Sequence, residues 1–244
     1  LSPGGLTFYG GLIVAAIAVC VYAAKKNIKL VHLIDAAAPV LILAYALGRI
    51  GCQVAGDGDW GIYNSAYITG AHGKAVEAKP GEYKAQLEKY STYFLKGDYK
   101  DRTLDEIRNK TVKSPSYLPT WMVAYSYPQN VNDDGIAMPG IKDEHNAMLP
   151  VPVFPTPFYE TIICTILFFI LWGIRRRIKI AGLMTGIYLI LNGTERFLIE
   201  HIRVNNLSTL FGLQLTQAEL ISFSMIIAGV IISAFVLLKK KTED

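Results

Sequence analysis

Five stretches of the chain are apolar over the length of a bilayer crossing, or nearly so: residues 6–24, 32–54, 158–174, 182–200 and 217–238. A helix needs about 20 residues to span the hydrocarbon. The pattern therefore predicts an all-α polytopic membrane protein with about five transmembrane helices, the third block being the shortest. One long polar segment, residues 56–157, interrupts the series. It divides the chain into residues 1–55 with the first two helices, an exterior α/loop insertion over 56–157, and residues 158–244 with the last three. Within the insertion, residues 81–113 are charged and rich in Glu, Lys and Leu, which predicts one or two short surface helices. Pro80, Pro115, Pro119, Pro128 and Pro139, then Pro150, Pro152, Pro155 and Pro157, predict loops and short extended pieces elsewhere. Asn132-Asp133-Asp134-Gly135 reads as a turn, because the further oxygen ligands of a calcium loop are missing at the required spacing.

Charge gives the helices a direction. Basic clusters follow the first block (Lys25, Lys26, Lys29), the third (Arg175, Arg176, Arg177, Lys179) and the fifth (Lys239, Lys240, Lys241). With all three in the cytoplasm, up-and-down threading through five spans holds throughout, and residues 56–157 and 201–216 face the exterior. The chain opens on Leu1-Ser2-Pro3, without an initiator Met or a signal peptide, and at least one further helix upstream is expected. Residues 56–157 hold 11 basic and 13 acidic side chains, against 13 and 7 in the rest. The net charge of +4 thus speaks of topology and anionic lipid, not nucleic acid. Cys20, Cys52 and Cys164 each fall inside a block, so no disulfide framework is implied.

The chemistry lies where charge enters the apolar blocks. The fourth carries Glu195, Arg196 and Glu200, with Arg203 just beyond. Asn192, Arg196, Glu200 and Arg203 are spaced four, four and three apart, so on a helix they share one face. An ionised side chain facing hydrocarbon costs several kcal/mol, so such residues usually point inward. Arg49 lies near the exterior end of the second block, between Gly48 and Gly51 and before Gly56, glycines that allow close backbone approach. It either snorkels to the headgroups or meets Arg196 and Arg203 at one depth. Guanidinium groups gathered there suit a phosphodiester, whose oxygens match the planar fork. Glu195 and Glu200 would orient them; alternatively, the arginines and glutamates simply tie helices together.

Other positions are candidates of a simpler kind. Tyr9 follows Gly4 and Gly5 and precedes Gly10 and Gly11, at the exterior start of the first block, where an aromatic anchor is the plain expectation. Glu160 lies one turn inside the third block, after Pro155-Thr156-Pro157, placed to pair with an arginine. His201 is the nearest titratable base, or else a solvated interfacial histidine. Asp35, at the cytoplasmic end of the second block, suits a helix N-terminus. His72 and His145 lack metal-ligand spacing, and neither a metal nor a cofactor is called for.

Taken in order, Gly4-Gly5-Leu6-Thr7-Phe8-Tyr9-Gly10-Gly11-Leu12-Ile13, Asp35, and Gly48-Arg49-Ile50-Gly51 with Gly56 and Trp60-Gly61 form the first half of a pattern. Pro155-Thr156-Pro157-Phe158-Tyr159-Glu160, Arg196-Phe197-Leu198-Ile199-Glu200 with Arg203, and Gln217-Ala218-Glu219-Leu220-Ile221-Ser222 complete it. The whole resembles prolipoprotein diacylglyceryl transferase, a family of bacterial membrane enzymes. The resemblance covers all five blocks and the loop edges but not residues 62–148. It implies transfer of the sn-1,2-diacylglyceryl group of phosphatidylglycerol to the lipobox cysteine thiol in a prolipoprotein signal peptide. Glycerol phosphate is released, in the first step of lipoprotein maturation, at the bacterial inner (plasma) membrane with the site facing the periplasm.

Arg49 and Arg196 match the family's two essential arginines, and Tyr9 and His201 are the candidates for taking the thiol proton. Arg203, Glu200, Asn192, Gly56, Gly10, Gly11 and Glu160 are expected to bind substrate. Three positions depart from the common pattern: Tyr9 stands where many members have histidine, Cys52 replaces an asparagine, and Asn192 replaces a tyrosine. Two other readings stay open at this point. One is a relative that binds lipid or lipoprotein without transfer. The other is a transporter with buried charges along its path, for which internal repeats or paired broken helices would be expected and are not seen.

Overall fold

Every apolar block is a helix: α1 (Pro3–Lys25), α2 (Leu30–Ala55), α5 (Thr156–Ile174), α6 (Leu183–Glu200) and α7 (Gln217–Glu243), with α3 (Glu82–Lys89) and α4 (Ser91–Phe94) between α2 and α5. The computed structural model describes residues 3–96, 103–203, 208–210 and 213–243, with side chains for 10–11, 13–96, 103–203 and 216–242. Three of these helices, α2, α5 and α7, are long and apolar enough to cross a membrane. In α1 the described apolar stretch is shorter, Ile13–Lys25, and α6 is an 18-residue helix interrupted by Glu195, Arg196 and Glu200. The architecture is that of a helical membrane protein with a few short strands.

Two helix pairs, α6 with α7 and α2 with α5, dominate the packing, and α6 also touches α2 and α5. Ala38, Ile42 and Ala46 of α2 meet Cys164 and Leu171 of α5 and Met184 of α6 in a buried core. Between α6 and α7 the contact is backbone against backbone. A Cβ at Gly186 would lie 2.2 Å from Ser233 Oγ and 3.0 Å from the Gly229 carbonyl, and one at Gly193 would lie 2.9 Å from the Ser222 carbonyl. Small residues permit such approach where lipid supplies no hydrophobic drive between helices.

Asp35 does serve a helix N-terminus, but that of α6 and not of its own helix. Its carboxylate accepts from the Gly182 N–H at 2.6 Å, the Thr185 N–H at 2.8 Å and the Thr185 hydroxyl at 2.5 Å. The two N–H groups are among the donors that a helix start leaves without intrahelical partners. Asp35→Ala is expected to lower stability by roughly 1–2 kcal/mol, read as a lower melting temperature in detergent. Asp35→Asn, which keeps one acceptor oxygen, should recover part of the loss.

Between α2 and α5 the chain forms short strand pairs: β1 (Tyr63–Asn64) runs parallel to β4 (Asn109–Lys110), β2 (Tyr67–Thr69) antiparallel to β3 (Ala75–Glu77), and β5 (Ile136–Ala137) antiparallel to β6 (Ala147–Met148). A fourth pair, β7 (Ser208–Leu210) with β8 (Leu213–Leu215), lies between α6 and α7. The charged stretch yields α3 and α4, as its composition predicts. The proline-rich run before α5 is less expected, because it forms the middle of this segment. Leu149, Val151 and Val153 are completely buried, and Pro150, Pro152 and Pro155 are almost so. Proline carries no N–H to satisfy, and three of the remaining donors are used. Leu149, Val153 and Phe154 donate to the carbonyls of Ser126, Tyr125 and Ile62. The run leads directly into α5, with Pro157 in the first turn where a missing N–H costs nothing. The turn expected at Asn132-Asp133-Asp134-Gly135 begins two residues earlier, where the Asp133 N–H donates to the Asn130 carbonyl at 3.1 Å, and the Asp133 carboxylate accepts from the Asn146 N–H at 3.1 Å.

Candidate functional site

Where α2 ends, α5 begins and α6 ends, their charged side chains meet. Arg49 of α2 is 6% exposed and Glu160 of α5 is 1% exposed. Arg49 Nε donates to Glu160 Oε2, and Arg49 Nη1 donates to Asp59 Oδ2. Arg203, just beyond α6, donates from Nη2 to Asp59 Oδ1 and has Nη1 3.8 Å from Glu160 Oε1. The Tyr45 hydroxyl donates to Glu160 Oε2 at 3.1 Å and accepts from Arg196 Nη1 at 3.0 Å. Arg196, Tyr45, Glu160, Arg49, Asp59 and Arg203 thus form one hydrogen-bonded chain. Tyr45 and Arg49 are four apart on α2, hence on one face. Glu195 and Glu200 are buried beside this network on α6.

The loop after α2 holds Asp59 in place. Gly56 ends the helix in the left-handed conformation (φ 65°) and donates to the Cys52 carbonyl, and a Cβ there would lie 2.8 Å from Asn130 Cβ. Left-handed backbone at a helix end is glycine's usual place. Gly61 donates to the Phe154 carbonyl at 2.8 Å and bridges to Arg203, while Ile62 donates to the Ile202 carbonyl at 2.9 Å. A Cβ on Gly61 would lie 2.7 Å from the Ile202 carbonyl oxygen. The loop therefore laces α5 to the end of α6. Arg108 adds a second tie, donating to the carbonyls of Arg203 at 3.3 Å and His201 at 3.2 Å. A cation at carbonyls left open by a helix C-terminus is favourable.

Burial pushes the Asp59 carboxyl up, but the hydrogen bond from Arg49 and the charges of Arg203, Arg49 and Arg196 outweigh it and hold it below the usual carboxylate range. A lowered folded value means that the stability Asp59 contributes is complete above the ordinary carboxylate range. It is lost as pH falls through the lowered value. Melting temperature measured from neutral to acid pH should therefore drop on the acid limb, and Asp59→Asn should start lower and show a flatter limb.

A family model described as prolipoprotein diacylglyceryl transferase matches residues 1–235. The chain belongs to the prolipoprotein diacylglyceryl transferase family. It is 26% identical over 233 residues to a phosphatidylglycerol–prolipoprotein diacylglyceryl transferase of Finegoldia magna, covering 95% of this chain and 62% of that protein. A protein of the same name from Streptococcus uberis is 26% identical over 242 residues, covering 98% of this chain and 64% of the relative. One from Leptospira interrogans is 36% identical over 67 residues, covering 28% of this chain and 21% of the relative. The chain thus spans a little under two thirds of the relatives it matches along its length.

Within this diacylglyceryl transferase family member, the sequence candidates separate. Arg49, Arg196, Arg203 and Glu160 are brought into one network, and Arg49 is ion-paired inside the bundle, not snorkelled to its edge. His201 is exposed; its Nδ1 donates to the Phe197 carbonyl at 2.8 Å and its ring packs edge-on to Phe197. Asn192 is half-buried on α6. Gly10 and Gly11 have open space where a side chain would project. Tyr9 lies in α1, and its side chain is outside the described residues. Cys52 accepts from Arg49 Nη1 at 3.5 Å.

Asp59, Tyr45 and Arg108 escaped the sequence reading. The spacing of Tyr45 from Arg49 was a signal for the second; Asp59 lay in a glycine-spaced loop with nothing to mark its partners. Ligand atoms of Cys52, Asp57 and Asp59 lie within 4.8 Å of one another. Asp59 is already shared by two guanidinium groups, which is a poor setting for a cation.

Proposed function

We propose that the protein transfers the diacylglyceryl group of phosphatidylglycerol to a lipobox cysteine thiol of a prolipoprotein and releases glycerol phosphate. The observation that supports this most is the link from Arg196 through the Tyr45 hydroxyl to the same Glu160 oxygen that holds Arg49. It joins, in one cluster, guanidinium groups from two distant helices. Arg49 Nη2 and Arg203 Nε are buried donors without a hydrogen-bond partner among the described residues, in keeping with a ligand rich in acceptor oxygens.

In the reaction the thiol sulfur bonds to the glycerol carbon that carries the phosphoester, and that carbon–oxygen bond breaks. Its electron pair leaves on the phosphate. The arginines stabilise the charge gathering there, and carboxylates behind them fix their orientation. A cationic setting also favours the thiolate, and the thiol proton goes to an acceptor for which Tyr9 and His201 are the candidates. Arg203, Glu200, Asn192, Gly56, Gly10, Gly11 and Glu160 would shape the substrate site.

The membrane arrangement follows from the same reading: five spans, the segment 56–157 outside, and the network facing the periplasm across the bacterial inner membrane. The division of the chain into 1–55, 56–157 and 158–244 belongs to this proposal.

The test is transfer from phosphatidylglycerol vesicles to a fluorescent lipobox peptide, followed by the mass gain of one diacylglyceryl group. Retained transfer in both Arg49→Ala and Arg196→Ala would reject the clamp. A relative that only binds lipid or lipoprotein, a reading favoured by Cys52 at its position beside Arg49, would take up phosphatidylglycerol without any mass gain.

A further inference from the structure

At the other end of the bundle, the start of α2, the turn between α5 and α6, and the last turns of α7 enclose a groove of about 550 Å³. Its basic rim is Lys29, His32, Lys179, Lys239 and Lys240, contributed by three segments far apart in sequence. Beside them lie Val31, Ile180, Phe235 and Val236, and no acidic side chain among the described residues lines the groove. Phe235 is 66% exposed and Val31 is 48% exposed, so apolar surface stands open directly next to the charges. Asp35, the acid in the adjoining cavity, is committed to the start of α6 and not to the lysines. Arg49 lies twenty positions after Lys29, the residue that directly precedes α2. At 1.5 Å per residue that is about 30 Å, the thickness of a hydrocarbon core. Whichever leaflet the arginine network meets, this groove meets the other.

We propose that the groove holds the anionic headgroup of a phospholipid from the leaflet opposite the arginine network. The phosphate sits among the lysines, and the upper acyl chains lie on Val31, Phe235 and Val236. A collar of lysines that merely orients a membrane helix needs no shared groove. Here one concave surface gathers lysines from three segments over an apolar floor, the combination that binds anionic headgroups between membrane helices. A free small anion would use the lysines and leave the apolar floor without a role.

The test is native mass spectrometry of the full chain, titrated separately with phosphatidylglycerol and phosphatidylcholine, for wild type and a triple variant, Lys29→Gln with Lys179→Gln and Lys240→Gln. The variant is expected to retain one phosphatidylglycerol fewer than wild type, that binding step weakening on the order of a hundredfold from three lost charges. Phosphatidylcholine retention should not change, and the matching Lys→Arg triple variant should bind as wild type does, which separates lost charge from lost fold. Undiminished phosphatidylglycerol binding in the Gln variant, or equal loss of both lipids, overturns the proposal. Displacement of the lipid by inorganic phosphate at millimolar concentration also overturns it, in favour of a small-anion site. Because the readout is a difference in retained lipid, it does not depend on whether the arginine network itself binds phosphatidylglycerol.

Discussion

Glu160→Ala is expected to destabilise the bundle by about 3–5 kcal/mol, because it leaves a buried guanidinium without its main partner. Glu160 is 1% exposed. It receives Arg49 Nε and the Tyr45 hydroxyl on one oxygen and faces Arg203 Nη1 with the other. Asp59 can take over only part of this, since it is already shared between Arg49 and Arg203. The physics also predicts an asymmetry. Replacing Arg49 and Glu160 together by methionines removes both desolvation costs, and should restore much of the stability that either single change loses. Transfer activity should not return with it. Unfolding in detergent, followed by helix content, measures both variants. A Glu160→Ala protein within about 1 kcal/mol of wild type would mean that these ion pairs do not hold the helices together.

Arg196→Gln should have the opposite profile: transfer reduced roughly a hundredfold to a thousandfold, the scale for losing one charge-stabilising donor, with little change in unfolding. Arg49 and Arg203 are bound on carboxylates. Arg196 is half-buried and gives Nη1 to a neutral hydroxyl. Its removal breaks no buried ion pair among the described residues, whereas a phosphate would lose the guanidinium least engaged by the protein. Arg196→Lys keeps the charge and loses the planar fork, so intermediate activity is expected. The decisive comparison is kcat/KM with the lipobox peptide set against the melting temperature. If Arg196→Gln unfolds as readily as Glu160→Ala, the residue is a structural tie and not a ligand group.

These two outcomes depend on a distinction that residue spacing does not contain. Asn192, Arg196 and Glu200 share a face of α6 by period alone, whereas Arg203, at the same spacing, lies beyond the helix end in a bridge to Gly61; Arg49 is marked by its apolar surroundings. Which arginine is committed and which is available depends on Asp59, which has no local signature, and on Tyr45, whose spacing from Arg49 marks a shared helix face but not its partners Glu160 and Arg196. The proline run over residues 149–157 makes the same point. Its composition suggests loops, yet the missing proline donors let it run buried, with Leu149, Val151 and Val153 as core.

Hydropathy and period are short-range properties, so the sequence alone determined the five helical blocks, the charged face of α6 and the helix-terminal role of Asp35. Partners are long-range: Arg49 and Glu160 are 111 positions apart, Asp59 and Arg203 are 144, and Tyr45 and Arg196 are 151. Only the packing of α2, α5 and α6 brings them within bonding distance. The same packing decided that Asp35 caps α6 and not α2, and that lysines from three segments border one groove. A buried charge needs some partner, and folding selects which one.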